Sequence, residues 1–201
     1  MLIMDNNKRI AKNTLMLYIR MLLSIVVSLY TSRVVLQTLG VEDYGIYGVV
    51  GGVAAMFSFL NGTLSGATSR FLTFALGEHN KQKLRDTFSA ALTVHLVAAV
   101  VIFVLCETIG LWILETKLII PEDRLMAARV LYQFSVLTVM FSITQVPYTA
   151  AVIAHERMDI FAFFSLGDVF FKLIAVFVLM LVPFDKLIVY GLLLFIISFA
   201  V

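Results

Sequence analysis

The ten residues at 96–105, LVAAVVIFVL, carry no charge, amide or hydroxyl, and KLIAVFVLMLV at 172–182 follows a single lysine with ten apolar residues. Inside hydrocarbon every backbone N–H and C=O must find a partner within the protein, which leaves only helices and closed barrels. A barrel strand would alternate polar and apolar positions, and these runs do not. Six apolar runs, at 13–38, 44–75, 86–114, 125–153, 160–182 and 187–201, are separated by short polar breaks. A bilayer core needs about 20 apolar residues per helix. The sequence therefore predicts an all-α, polytopic membrane protein of about six transmembrane helices. Composition agrees: 61% of the 201 residues are hydrophobic and 14% charged, with a mean hydropathy of +1.01, far from the balance of a soluble domain.

The first apolar run is too long for a signal peptide and lacks a small-residue cleavage site, so it is expected to be retained. Cys106 is the single cysteine, which rules out an intramolecular disulfide and a cysteine-based metal site. A formal net charge of +2 is too small and scattered to predict nucleic-acid binding. There is no GxSxG, HExxH or Walker lysine loop, and neither an enzyme activity nor a cofactor or metal is expected. The loops at 77–86 and 115–124 are too short to fold alone, so function is expected in the spans or their ends. The last run, GLLLFIISFAV, ends with no polar cap, which predicts a chain cut inside or at the end of a helix.

Lysine and arginine set the expected orientation. Lys8, Arg9, Lys12, Lys81, Lys83, Arg85 and Arg157 fall on the side of the N-terminus; Lys117, Arg124 and Lys186 fall on the other. Seven against three predicts a cytoplasmic N-terminus. Trp112, Tyr44 and Tyr47 would then form an aromatic belt at the outer interface. In LGVEDYGIYG, which separates the first two runs, Gly40 can close the first helix, Asp43 can cap the second and Glu42 suits its positive N-terminal end. Gly45 and Gly48 would permit close packing, as would Gly62 and Gly66 further along.

Polar residues within the runs are expensive, about 2.5–3.5 kcal/mol for a charge at the bilayer centre, and usually face a bundle interior or a wet cavity. At 100° per residue, Asn13, Ser24, Thr31 and Thr38 fall within roughly a 60° arc around Arg20. Arg20 either faces a cavity or snorkels to the inner interface. Ser58, Asn61, Ser65 and Thr68 share a face of the second run, with Arg70 opposite, where snorkelling competes with a site role. Arg33 points away from the Arg20 arc, near the outer end. Asp168 and Lys172, at i and i+4 in the middle of the fifth run, lie on one helical face with the acid first, the favourable order for an ion pair. They form either a self-neutralising structural pair or a substrate or proton site. Arg129 and Gln133 share a face that could line a vestibule, and Pro147 should kink or end its helix. His95 and Glu107, without further ligands at metal spacing, read as packing residues.

SRVVLQTLGVEDYGIYGVVGGV at 32–53, followed by LSGATSRFLTFALGEHNKQKLRDTFSAALTV at 64–94, resembles the polysaccharide-export branch of the multidrug/oligosaccharidyl-lipid/polysaccharide (MOP) flippase superfamily. Ser32, Arg33, Leu39, Gly40, Asp43, Tyr44 and Gly45 match its pattern of a Ser-Arg and Leu-Gly ending one helix and an acidic-Tyr-Gly turn opening the next. The resemblance extends over residues 13 to about 160. It implies one lobe, the N-terminal half, of a MATE-like two-lobe flippase in the bacterial cytoplasmic (inner) membrane. Such a flippase translocates undecaprenyl-pyrophosphate-linked oligosaccharide units for O-antigen, lipopolysaccharide or capsule biosynthesis by alternating access through a cationic cavity. The substrate-binding role would then fall to Arg20, Arg33 and Lys172, with Asn61 beside them and Asp168 as coupling residue or ion-pair partner. Implied partners are the lipid-linked oligosaccharide, membrane lipids and either a second lobe or a second copy of the chain. Exporters of small metabolites or drugs on the same scaffold, and a non-transporting subunit of a polysaccharide-assembly complex, are the alternative readings.

Overall fold

The computed structural model describes the backbone of residues 2–56 and 59–200 and the side chains of residues 14–56 and 62–200. Among these residues all regular structure is helical: α1 (Leu2–Ala55), α2 (Phe59–Gly77), α3 (Lys81–Leu105), a π-helical turn (Cys106–Gly110), α4 (Leu111–Thr116), a 3-10 turn (Glu122–Arg124), α5 (Leu125–Ala154), α6 (Met158–Leu181) and α7 (Lys186–Ala200). Four stretches are long and apolar enough to cross a membrane: Thr14–Ala55, Lys81–Thr116, Glu122–Ala154 and Met158–Leu181, with the shorter apolar Lys186–Ala200 beside them. The chain is a helical membrane protein.

α1 is two limbs, 2–39 and 41–55, joined at Gly40, whose φ of 82° and ψ of 170° lie outside the helical region. An L side chain rarely adopts this φ, so the glycine lets the chain turn here. The expected closure at Gly40 is observed. The expected second span at 44–75 is interrupted, however: helix ends at Ala55, Met56 is in a turn, and α2 starts at Phe59. Gly51-Gly52 and Asn61-Gly62 flank this break, and glycine costs a helix about 1 kcal/mol per residue relative to alanine.

Side-chain contacts give the direction of each piece. Arg20 meets Ser165, Val34 and Val35 pack with Val176 and Leu179, and Lys186 reaches the Thr38 carbonyl. The first limb of α1 thus runs alongside α6 in the same direction. Asp43 meets Arg124, while Leu72 packs with Ala150 and Ala154. The second limb and α2 therefore both run with α5. One end of the bundle holds Gly40, Arg124 and Asp185; the other holds the turns before Lys81 and after Ala154.

α5 is the central helix, in contact with α1, α2, α3, α6 and α7. Its buried residues, among them Ala128, Leu131, Tyr132, Val136, Ile143 and Ala150, fall within roughly 140° of its circumference at 100° per residue, a broad apolar face turned to its neighbours. α5 continues through Pro147 to Ala154, so the proline does not end the helix. The ring removes only the bond to the carbonyl four residues back, and the surrounding helices hold the rest. α7 seals against α5 through Phe195, whose ring lies 5.9 and 5.7 Å from those of Phe134 and Phe141.

The turns have local causes. Asn80 caps α3, its Oδ1 accepting from the Gln82 and Lys83 amides at 3.0 and 3.1 Å, which satisfies two of the helix's orphan donors. α5 ends with Glu156 at φ 55°, the Glu156 amide donating to Ile153 and the Arg157 amide to Val152, the left-handed closure usually given to glycine. Beyond it Arg157 is bonded to Asp159, and that carboxylate pushes the guanidinium pKa up.

The glycines expected to permit close packing are left uncovered by the described residues of this chain. Nothing lies within 4 Å of a Cβ added at Gly45, Gly48, Gly62 or Gly66. The tight approaches are at Gly110, against the Tyr132 hydroxyl, and at Gly191, against Leu131. Tyr132, fully buried, donates to the Cys106 carbonyl at 2.8 Å, and the same oxygen accepts the Leu111 amide across the wide π turn.

Candidate functional site

Asp168 and Lys172 are brought together as their spacing predicts, Lys172 Nζ donating to Asp168 Oδ2 at 2.7 Å. They border two adjoining cavities. The first, about 520 Å³, is walled by Thr138, Ser142, Gln145 and Thr149 of α5, by Phe161, Phe164 and Ser165 of α6, and by Ser198 of α7. The second, about 260 Å³, is walled by Ser24, Ser28, Thr31 and Ser32 of the first limb of α1, with Tyr190. Tyr47, Asp168, Lys172 and Leu194 border both. The ion pair thus stands on the partition of one polar cleft inside an apolar bundle.

The cleft walls differ chemically. Thr138 and Thr149 donate their hydroxyl protons to backbone carbonyls four residues earlier, Phe134 at 2.8 Å and Gln145 at 3.3 Å. Their oxygen lone pairs remain to accept from a guest. Gln145 ties α5 to α7 by donating to the Ser198 carbonyl at 2.8 Å. Across the cleft, Thr31 Oγ1 is buried with no partner among the described residues.

Arg20 lies beside the first cavity and touches two residues of its wall. Its Nη1 donates to Ser165 Oγ at 2.6 Å, and its guanidinium carbon stands 4.8 Å from the centre of the Phe161 ring. Its Nε is buried with no hydrogen-bond partner among the described residues. No carboxylate among these residues pairs with Arg20, and a guanidinium held by a hydroxyl and an aromatic face retains affinity for an anion.

The other expected residues fall elsewhere. Arg33 is exposed on the surface of α1 and borders neither cavity. The side chains of Asn13, Ser58 and Asn61 lie outside the described residues. Ser24 and Thr31 of the Arg20 arc do line the cleft. Arg129 pairs with Glu115 at 2.8 Å and Gln133 donates to Glu107 at 3.3 Å. His95 is buried, its Nδ1 2.7 Å from the Ala91 carbonyl, and no metal-holding group of three or more ligands exists among the described residues.

Two expectations for the segment after Gly40 change. Asp43, expected as a helix cap, is gripped by Arg124 through both oxygens. Tyr47, expected in the outer belt, turns inward, its ring edge-on to Tyr190 at 5.0 Å. Asp43, Tyr47, Val50 and Ala54 share one helical face, so fixing Asp43 on Arg124 commits Tyr47 to the interior. Trp112 is 54% exposed, with Lys117 Nζ 5.2 Å from its ring centre.

Beyond Ser24 and Thr31, further cleft residues carry a periodic signal in the sequence. Thr138, Ser142, Gln145 and Thr149 recur at intervals of 4, 3 and 4, one face of a helix, and Ser24, Ser28 and Ser32 recur every fourth residue. No protein-family model, curated protein or solved structure matches the chain.

Proposed function

We propose that this chain is a lobe of a MOP-type flippase that moves undecaprenyl-pyrophosphate-linked oligosaccharide units across the bacterial cytoplasmic membrane for surface-polysaccharide biosynthesis. In this reading the chain crosses the membrane six times with its N-terminus in the cytoplasm. The alternating directions of the first α1 limb, the second limb with α2, α3 with α4, α5, α6 and α7 support that path. The observation that carries the function is the Asp168–Lys172 pair on the partition of the polar cleft, with Arg20 bound to its wall. A guest in the cleft would meet Lys172, hydroxyl oxygens free to accept from sugar and, beside the wall, Arg20, which has no acidic partner among the described residues. The lipid tail would stay in the bilayer.

Lys172 and Asp168 are 47% and 33% exposed in a membrane-spanning helix. Charges so placed need water or protein and not lipid around them, which supports a second lobe or a second copy closing the cleft. Asp168 would then carry a coupling proton or hold Lys172 in place.

The test is surface polysaccharide at matched protein levels in cells carrying Arg20→Ala or Lys172→Ala in the full protein. Each is expected to reduce export by about tenfold or more, the loss of one charge-assisted phosphate contact. Unchanged export in both variants would remove the cationic-cleft model. An Arg33→Ala variant, exposed and outside the cleft, should export normally.

A second reading is favoured by the closed geometry of the ion pair, which needs no ligand: a non-transporting membrane subunit in which Asp168 and Lys172 only fasten α6. Replacing both by apolar residues of similar size would then leave the phenotype intact, whereas the flippase reading requires its loss.

A further inference from the structure

On the side of the second α1 limb away from Tyr47, a separate groove of about 560 Å³ lies between Val41, Glu42, Gly45, Ile46 and Val49 and the extended segment from Lys117 to Pro121. Its outer wall is held firmly, because Leu118 and Ile120 pack into the main apolar core while Ile119 between them points out, fully exposed. Its floor is open at Gly45, where nothing lies within 4 Å of an added Cβ.

The groove has a polar and an apolar end. It begins where the apolar stretches end or turn, at Thr116, Gly40 and Glu122, which is the level of a membrane interface. Glu42 and Lys117 are exposed at that level, Lys117 steadied over Trp112. At 1.5 Å per residue the helix carries the floor about 10 Å deeper by Val49, where the lining is hydrocarbon. Glu42 has no ion-pair partner among the described residues. A cation and an anion at headgroup level above an apolar trough complement an amphiphile with a phosphate for Lys117, an amine for Glu42 and a chain for Ile46 and Val49.

We propose that this groove binds a phospholipid with a primary-amine headgroup, of the phosphatidylethanolamine type, with an acyl chain lying over Gly45. A primary ammonium donates hydrogen bonds to a carboxylate; a trimethylated choline cannot, and a glycerol headgroup brings no positive charge for Glu42. The site lies apart from the cleft, roughly 200° around the helix from Tyr47, and depends only on the chain's being a membrane protein.

The experiment compares the purified full chain in detergent with added dioleoyl phosphatidylethanolamine, phosphatidylcholine or phosphatidylglycerol, reading bound lipid by native mass spectrometry and thermal unfolding in parallel. The ethanolamine lipid is expected to be retained at one per chain and to raise Tm by about 2–4 °C over the other two. Glu42→Gln should weaken that lipid about tenfold and erase its advantage; Lys117→Ala should weaken all three. Gly45→Leu, at an uncovered position that tolerates the side chain, should block retention without lowering the lipid-free Tm. Equal retention of the three lipids, retention unchanged in Glu42→Gln or in Gly45→Leu, or a loss of dimer instead of lipid in Gly45→Leu would each overturn the proposal, the last assigning the groove to a second copy of the chain.

Discussion

Gly110→Ala is expected to destabilise the bundle by about 3 kcal/mol, the sum of overpacking a fixed site and uncoupling a buried hydroxyl, and to lower Tm by roughly 6–12 °C. The added methyl would overlap the Tyr132 hydroxyl. Tyr132 has no exposed surface to retreat toward, and its hydroxyl is bonded to the Cys106 carbonyl. Relief requires either losing that bond or closing the π turn that Cys106 and Leu111 span. Removing the oxygen supplies the control: Tyr132→Phe alone should cost only about 1 kcal/mol, because the Cys106 carbonyl keeps the Leu111 amide. Combined with Gly110→Ala it should recover about half of the alanine's effect, since the nearest remaining ring atom is 3.1 Å away. Thermal unfolding of the four proteins in one detergent makes the cycle. A double variant no more stable than Gly110→Ala would refute the clash as the cause.

Arg124→Ala should come next, at about 2 kcal/mol, less than the roughly 3–5 kcal/mol of a fully buried pair because its members keep some contact with solvent. One guanidinium holds Asp43 through two bonds and Asp185 through Nη1 at 2.8 Å, and Asp185 in turn accepts the Leu187 and Ile188 amides at the start of α7. The residue therefore fastens the turn after Gly40 to the starts of both α5 and α7. Lysine should not substitute, lacking the planar fork that serves two carboxylates at once. Hydrogen exchange should rise at Leu187 and Ile188 in Arg124→Ala and Arg124→Lys alike. In a background of Asp43→Asn with Asp185→Asn the arginine's removal should cost far less; an undiminished cost would mean that it acts through packing.

What was legible in the residues followed from local chemistry. Long apolar runs have one way to satisfy their backbone in a membrane, the glycine at 40 marks the place where an L residue could not turn, and Asp168 with Lys172 needs only helical periodicity to meet. The cleft's hydroxyl ladders were equally readable but are quiet, because serine and threonine inside a helix usually serve their own backbone. Arg124 could not be assigned to Asp43 and Asp185 from the sequence: they lie 81 and 61 residues away, and their meeting depends on how the helices stack. The same stacking turned Tyr47 inward and left Gly45, Gly48, Gly62 and Gly66 uncovered, since a small residue permits contact without requiring it. The choice of Gly110 and Gly191 as the tight approaches depended on which large side chains of α5 lay opposite.

The single cysteine gives the chain a practical property. Cys106 has no accessible surface and its carbonyl is sealed beneath Tyr132, so a membrane-permeant maleimide should leave the folded protein unlabelled. A cysteine placed at Thr138 or Ser165 would then be the reactive thiol of this chain, and the rate at which it is modified, with and without a guest, would report how far the cleft is open to water.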